Sequence, residues 1–334
     1  MSNSTLPYST MKTDHSCGRI WRIHSVEELR DAIEKAYEPI IVGGGSNILF
    51  KDDIQNDLIV IRILGRSIEK EDKRTVTLSI GAGEEWHQFV LWTLENSWGG
   101  LENLSLIPGL CGAAPMQNIG AYGAELKDVL TWVEILDRDT LEIRKLQAEE
   151  CELGYRDSIF KKSLQEKVII TSIGLRLTKE VFYHINTSYG AIEQELHSLK
   201  IETPNIRNVS QAVINIRTQK LPDPQVLPNN GSFFKNPVIN QKEFQKLQIK
   251  FPDVPYYLLR DRKVKIPAGW LIDNAGLKGK REGGVGTHIK QALVIVNYDS
   301  ASGSEVIQFA LKVQKIVFEK YGIEISPEVN IYPT

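Results

Sequence analysis

The sequence is poor in cysteine, and its histidines are dispersed. Cys17, Cys111 and Cys151 are odd in number, widely spaced and form no C-x-x-C pair. This pattern indicates neither a disulfide framework nor a cysteine-rich zinc site, so we expect a reducing, cytoplasmic compartment. No two of the six histidines stand at i, i+4 spacing. The sequence therefore gives no support for a metal site or for a Ser-His-Asp triad.

Long apolar runs and a strong net charge are also missing. The formal charge of −2 over 334 residues gives no overall field that would attract nucleic acid or an acidic membrane. No apolar run reaches the ~20 residues of a membrane span. The polar start MSNSTLPYSTMKTDH lacks the apolar core of a signal peptide. We expect a protein that binds neither nucleic acid nor membrane, and we expect a monomer.

What the sequence does contain is an alternation of helical and strand patterns, typical of an α+β protein with two or three domains. Helices are predicted over 25–37, with a capping box formed by Ser25 and Glu28, over 84–98, and over 302–322, ending at Gly322. Strands are predicted over 58–63, 75–83 and 167–177. The three prolines of 219–231 indicate a connector between domains.

Three glycine-rich segments stand in the first half of the chain. IIVGGGSN directly follows a strand, GAG occupies 81–83, and 108–123 is rich in glycine. None is a G-x-G-x-x-G or G-K-[ST] motif, and each alone could be a plain turn. Because bare backbone amides bind anions closely, three such loops in one domain favour a long cofactor with two phosphates.

Three further residues are candidates for chemistry, each with an ordinary alternative. Ser232 follows Asn-Asn-Gly and precedes two phenylalanines, where a tight turn is the simpler interpretation. Arg156 in GYRDSIFK could hold a carboxylate with two hydrogen bonds or simply pair with Asp157. Glu328 in ISPEVNI could face solvent or, if buried, require a partner or a proton.

Taken together, seven stretches resemble the UDP-N-acetylenolpyruvoylglucosamine reductase family, the flavoenzymes of peptidoglycan precursor synthesis. They cover nearly all of the chain from about residue 15, in the order GGGSNILF, GAGEEWHQFV, GLENLSLIPGLCGAAPMQNIGAYGAEL, GYRDSIFK, KLPDPQV, GSFFKNPV and AGWLID. The resemblance implies an α+β fold with a vanillyl-alcohol-oxidase-like (PCMH-type) FAD-binding domain and a C-terminal α+β substrate-binding domain. It also places the chain in the first of the family's two structural types.

The resemblance sets the expected domains. They are an FAD-binding domain at 15–180, with subdomains at about 15–66 and 67–180, a tyrosine-loop segment and connector at 181–218, a substrate-binding domain at 219–322, and a C-terminal segment at 323–334 that carries Glu328 back to the active site.

The resemblance also assigns site residues. Those implied for FAD, bound non-covalently, are Gly43, Gly44, Gly45, Ser46, Asn47, Ile107, Pro108, Gly109, Gln117, Asn118, Ile119, Gly120, Ala121, Tyr122 and Ile173. Those implied for the UDP-sugar are Tyr189, Lys220, Asn236 and Gln291. One position departs from the family, since Asn330 stands where an arginine is common. The resemblance therefore does not imply a cationic side chain from that strand.

The implied reaction is the NADPH-dependent reduction of UDP-N-acetyl-3-O-(1-carboxyvinyl)-glucosamine to UDP-N-acetylmuramate. Arg156 would hold the substrate carboxylate, Ser232 would supply a proton, with the phenylalanines limiting water, and Glu328, if burial keeps it protonated, would donate a further hydrogen bond. Two alternatives stay open: an oxidase of the same flavin fold that uses O₂, and a nucleotide-binding module without catalysis.

Overall fold

The computed structural model describes residues 3–259 and 262–333. The α-helices are α1 (Val26–Lys35), α2 (Trp86–Glu95), α3 (Gly190–Ser198), α4 (Ile206–Lys220), α5 (Gln241–Lys250), α6 (Ala268–Asn274) and α7 (Gly303–Tyr321). The strands of the first half are β1 (Asn3–Ser4), β2 (Ser16–Cys17), β3 (Ile20–Ile23), β4 (Ile40–Val42), β5 (Ile48–Phe50), β6 (Leu58–Ile61), β7 (Arg66–Glu71), β8 (Thr75–Gly81), β9 (Trp98–Gly99), β10 (Gly120–Ala121), β11 (Ala124–Glu125), β12 (Leu130–Asp137), β13 (Ile143–Gln147) and β14 (Val168–Lys179). Those of the second half are β15 (Asn229–Ser232), β16 (Val238–Asn240), β17 (Tyr257–Leu258), β18 (Lys263–Lys265), β19 (Arg281–Glu282), β20 (Val285–Thr287), β21 (Val294–Asn297) and β22 (Asn330–Tyr332).

The chain divides into two compact units, each of which is discontinuous in sequence. The first unit is formed by Gly18–Gly44 and Asn56–Gln219, and the second by Met1–Cys17, Gly45–Gln55 and Lys220–Thr334. Residues 45–55 thus group with the C-terminal part of the chain, which local pattern does not foretell. The functional domain boundaries given above remain a prediction.

The first unit contains two sheets. A parallel sheet has the order β3-β6-β4, and a larger antiparallel sheet has the order β13-β12-β14-β8-β7, with β9 pairing to β14. The predicted strands at 58–63, 75–83 and 167–177 are therefore confirmed, and alternate side chains of β8 are buried as the pattern requires. The helix after β3 has Ser25 as its N-cap, but the Glu28 carboxylate accepts from His24 N–H at 2.6 Å. The reciprocal half of the predicted capping box is therefore wrong.

The second unit is built from small sheets around α7. Its main sheet has the order β15-β21-β20-β19, and β22 pairs in parallel with β5. The predicted helix over 302–322 is confirmed. It starts with a capping box between Ser302 and Glu305 and ends at Gly322, whose φ is +68°. Phe233 and Phe234 are fully buried in the core of this unit.

Two helices lie in the segment that the sequence left as tyrosine loop and connector. They are α3 and α4, and they form their own small core with Ile192, Leu196, Val209 and Val213. None of the helices in the described part of the chain has the length and apolar character to span a bilayer.

Candidate active site

The glycine-rich segments at 43–44, 81–83 and 108–112 lie together in the first unit. Gly44 packs so closely on Gly109 that a Cβ on Gly44 would lie 3.1 Å from the Gly109 Cα. Similarly, a Cβ on Gly112 would lie 2.5 Å from the Ala82 Cβ. These contacts require glycine, so the three segments form one surface of closely packed backbone, as the sequence led us to expect.

The predicted cofactor loop at 117–122 ends in a tight hairpin. Strands β10 and β11 are joined by Tyr122 and Gly123, whose φ values of +51° and +81° are those of a type I′ turn. Asn118 fixes the base of the hairpin, because its side chain donates to Glu125 and to the Gly154 carbonyl and accepts from Lys127 N–H. Asn103 holds the turn by donating to the Tyr122 carbonyl at 2.8 Å.

Arg156 lies beside this hairpin. Its guanidinium donates to the Gly120 carbonyl at 3.2 Å, and its backbone is left-handed, with φ +52°. The neighbouring Asp157 carboxylate is held by Lys162 at 2.7 Å. Lys162 thus provides a cationic partner for Asp157, so the charge of Asp157 is compensated without Arg156.

Two further predicted residues of the first unit differ in burial. Ile173 is completely buried in β14, opposite Ile80 and Val133 of the neighbouring strands. Tyr189 precedes α3, is 45% exposed, and packs edge-on against Tyr122 with ring centroids 5.3 Å apart.

In the second unit, Ser232 lies on a bulged strand and not in a tight turn. The register of β15 with β21 is irregular between Asn229 and Ser232, and Gly231 has φ +68°. Asn229 stabilises the bulge, since its side-chain oxygen accepts from Gly231 N–H at 2.8 Å. Bulges of this kind redirect a side chain and are common near active sites. Here the Ser232 side chain is exposed.

The segment that carries Glu328 runs along the backbone next to Ser232. Glu328 N–H donates to the Phe233 carbonyl at 2.8 Å, and Lys235 N–H donates to the Ser326 carbonyl at 2.9 Å. Ser232 and Glu328 are therefore brought onto adjacent stretches of one unit. The Phe233 and Phe234 rings pack against each other in the core with centroids 5.2 Å apart, so they anchor this strand.

The chain leaves the first unit within the GGGSN loop, so that Gly45, Ser46 and Asn47 belong to the second. Asn47 donates to the Glu328 carbonyl at 3.3 Å. Asn330, at the position of the common arginine, donates from both its backbone and its side chain to the Asn47 carbonyl. Its side chain thus fixes the end of the loop.

A cavity of about 320 Å³ opens in the second unit, and two predicted substrate residues line it. They are Asn236, whose side-chain oxygen accepts from Ala268 N–H, and Gln291. Charged and aromatic side chains that the sequence analysis did not single out also line it, namely Lys278, Lys290, Tyr257, Trp270 and Asp273, the last of which pairs with Lys278. Lys220 is not part of this lining and is exposed at the end of α4.

Sequence comparisons identify the family. Residues 19–144 match an FAD-binding domain family, and residues 223–332 match the C-terminal domain of UDP-N-acetylenolpyruvoylglucosamine reductase. A reductase of that name from Flavobacterium johnsoniae is 47% identical over 97% of this chain and 96% of its own length. The chain belongs to the UDP-N-acetylenolpyruvoylglucosamine reductase family. A reductase of the same name from Pseudomonas aeruginosa is 42% identical over 98% of this chain and 97% of its own.

The structural comparison agrees with the expected fold class. The crystal structure of the reductase from Thermus caldophilus superimposes with a TM-score of 0.69 over the whole of both chains, at 23% identity. The expected PCMH-type FAD-binding domain followed by a C-terminal α+β domain is therefore confirmed, and so is the resemblance to the reductase family. The protein is an oxidoreductase.

The described residues fit an FAD-binding role. Gly44 against Gly109 and Gly112 against Ala82 leave no space for side chains, and such bare backbone allows a diphosphate to approach closely. No group of His, Cys, Asp or Glu in the described residues could hold a metal ion.

Proposed function

We propose that this reductase converts UDP-N-acetyl-3-O-(1-carboxyvinyl)-glucosamine to UDP-N-acetylmuramate in peptidoglycan precursor synthesis, with NADPH as the hydride source. The observation that carries the proposal is an exposed Ser232 on a glycine-bulged strand, directly before Phe233, whose carbonyl accepts a hydrogen bond from Glu328 N–H. When bound, FAD supplies hydride transfer between NADPH and the sugar. The proposal includes a monomer in the cytoplasm.

The substrate determines what the side chains must do. Hydride must add to the methylene terminus of the enolpyruvyl group, so that negative charge develops on the neighbouring carbon and spreads into the carboxylate. Arg156 provides a planar cation that binds a carboxylate with two hydrogen bonds. Donors placed where charge develops lower a barrier by roughly 3–4 kcal/mol each.

Ser232 then protonates the carbon. A hydroxyl is a weak acid, but the carbanion of an ionised carboxylate is a strong base, so the transfer is feasible. The left-handed φ of Gly231 and the hydrogen bond that its N–H donates to the Asn229 side-chain oxygen fix the approach of the hydroxyl. Glu328, held on the adjacent segment, would add a hydrogen bond to the carboxylate in its protonated form.

The cavity of the second unit suits the UDP portion. Lys290 and Lys278, the latter paired with Asp273, offer charge to a diphosphate, and Tyr257 and Trp270 offer rings on which a base can stack. Asn236 is preoriented by its hydrogen bond from Ala268 N–H, and Gln291 supplies a further amide. Lys220 and Tyr189 are proposed as additional ligands on the basis of the family pattern.

The test is a visible absorption spectrum of the purified protein, recorded anaerobically before and after each addition. NADPH should bleach the flavin band, and the enolpyruvyl sugar should then restore it. An oxidase would instead consume O₂ with no UDP-sugar present, and a colourless protein that fails to bind FAD would contradict the proposal entirely.

A further inference from the structure

The backbone of one residue of the first unit, Leu106, is hydrogen bonded to a side chain through both its N–H and its carbonyl. Its N–H donates to His87 Nδ1 at 3.0 Å, and its carbonyl accepts from Arg217 Nε at 3.2 Å. His87 belongs to α2 and Arg217 to α4. Two helices that are distant in sequence thus meet at one residue.

Leu106 is in a conformation that needs such support. Its φ is +57°, in the left-handed region that is unfavourable for leucine and persists only when the surroundings impose it. The next three residues are Ile107, Pro108 and Gly109, the proposed FAD-binding turn. The left-handed residue therefore sets the direction in which that turn leaves the core.

Arg217 links this turn to the second proposed FAD segment. Its side chain also interacts with the Tyr122 hydroxyl, and burial lowers the pKa of Arg217 and raises that of Tyr122. Arginine nevertheless stays charged at neutral pH. One guanidinium thus contacts the residue before the 107–109 segment and the last residue of the 117–122 segment.

We propose that His87 and Arg217 are positioning residues that clamp Leu106 in its left-handed conformation and so hold the FAD-binding turn in place. This inference rests on the proposed FAD role of residues 107–109. Neither the composition nor the motifs of the sequence indicated a function for these two side chains.

The clamp depends on a neutral imidazole. Nδ1 can accept a hydrogen bond only when it carries no proton. Burial, followed by the charge of Arg217, lowers the pKa of His87, whereas Glu85 at the start of α2 raises it. Arg217 on α4 and Glu85 are the charged groups that act on this ring among the described residues.

A depressed histidine pKa means that the stabilising hydrogen bond is fully present above the ordinary histidine pKa of about 6.5 and is lost as the pH falls through the lowered value. Protonation would also place a cation beside Arg217. Acidification should therefore loosen the turn and weaken FAD binding.

The experiment measures FAD binding by the apoprotein through quenching of flavin fluorescence, at pH 8 and in a series of decreasing pH for as long as the protein stays folded. The variants are His87→Phe, which removes the acceptor, and His87→Gln, which keeps one without titrating. His197→Phe, on the exposed surface of α3, is the matched control. We expect His87→Phe to raise the Kd about tenfold at pH 8, the scale of one lost buried hydrogen bond, and the control to leave it unchanged.

Two further arms distinguish positioning from general damage. Wild-type affinity should fall as the pH is lowered through the depressed pKa of His87, below the ordinary value of about 6.5, whereas that of His87→Gln should fall much less. Adding Leu106→Gly to His87→Phe should recover affinity, because glycine adopts the left-handed conformation without support.

Equal affinities of wild type and His87→Phe would overturn the clamp, and so would identical pH profiles of wild type and His87→Gln. If His87→Phe fails to fold, the pH profiles alone decide. A wild-type protein that binds no FAD at all would instead overturn the proposed function, together with the clamp that depends on it.

Discussion

Ser232 shows how much of a catalytic role depends on the backbone beneath one side chain. The hydroxyl is exposed because a bulge turns the strand at Gly231, and the bulge is held by Asn229. Phe233 and Phe234 fix the following residues in the core. The backbone on both sides of the serine is therefore anchored, which suits a positioned acid.

Ser232→Ala should separate the two half-reactions. Reduction of the flavin by NADPH does not need the serine proton, so bleaching should proceed at nearly the wild-type rate. Reoxidation by the enolpyruvyl sugar should slow by roughly 10²–10⁴-fold, the contribution of one positioned acid. Stopped-flow absorbance measures both phases.

Two companion variants make this result specific. Ser232→Cys should regain part of the rate, because a thiol in the same place can also give up a proton. Ser326→Ala, on the exposed neighbouring segment, should behave as wild type. Reoxidation at the wild-type rate in Ser232→Ala would assign the proton to another group.

Arg156→Lys should lose most turnover although the charge is kept. A lysine ammonium cannot reproduce a bidentate contact with a carboxylate, and loss of a charged hydrogen bond of about 1.5–3 kcal/mol corresponds to roughly a 10- to 100-fold decrease. Steady-state turnover, with flavin bleaching measured separately, is the assay.

Asp157→Asn is the matched control for Arg156. Asp157 pairs with Lys162, so its neutralisation should leave turnover almost unchanged. If Asp157→Asn lowered turnover as much as Arg156→Lys, Arg156 would act as a structural partner of Asp157 and not as the ligand of the substrate carboxylate.

The helices differ in how far the sequence foretells them. The helix α7 has strong caps and a clear apolar face, and its bounds were predicted to within one residue at each end. The helix α4 was missed, because Ile206, Val209, Val213 and Ile216 are β-branched residues of low helix propensity. Their spacing places them on one face of the helix, where Val209, Val213 and Ile216 are buried in the small core and Ile206 in the larger core of the first unit, and this packing outweighs propensity.

Contacts that only the tertiary structure creates also limit what could be predicted of the site. The glycine segments and Ser232 were visible because glycine and motif order are local signals. The roles of His87 and Arg217 could not be predicted, because they depend on hydrogen bonds to the backbone of Leu106 that exist only in the folded protein. The bulge at Gly231 could likewise not be distinguished from a tight turn, since Asn-Gly is found in both structures.

Two helix-initial glycines should respond oppositely to alanine. A Cβ at Gly303, the first residue of α7, would lie 2.0 Å from the Phe50 carbonyl oxygen, so Gly303→Ala should destabilise by about 1–3 kcal/mol. At Gly190, the first residue of α3, no atom lies within 4 Å of the added Cβ. Gly190→Ala should be neutral or stabilise by up to ~1 kcal/mol. Urea unfolding curves compare the two, and equal losses would contradict this explanation.

For the whole molecule, the cysteine content limits how a flavin could be attached. All three thiols are buried and free, and burial raises the pKa of Cys151 to about 12 and that of Cys111 further. Cys111 lies within the glycine surface, but a completely buried and protonated thiol is a poor nucleophile. The segments at 43–47, 81–83 and 108–123 contain no histidine.

The purified protein should therefore be yellow with non-covalent FAD. Acid or heat precipitation should leave the colour in the supernatant, where its spectrum identifies the flavin. Colour that remains with the precipitate would show a covalent link and would contradict the prediction.

The parallel pairing of β5 with β22 has a consequence for biosynthesis. Asn47 and Asn330, which are hydrogen bonded beside this pair, are 283 residues apart in sequence. Translation at about 5–20 residues per second separates their appearance by tens of seconds. During that interval the nascent chain presents the apolar Ile48–Phe50 edge without its strand partner, whereas the chain of the first unit is complete at Gln219, well before Asn330 is made. The second unit is therefore the one that we expect to engage chaperones during synthesis.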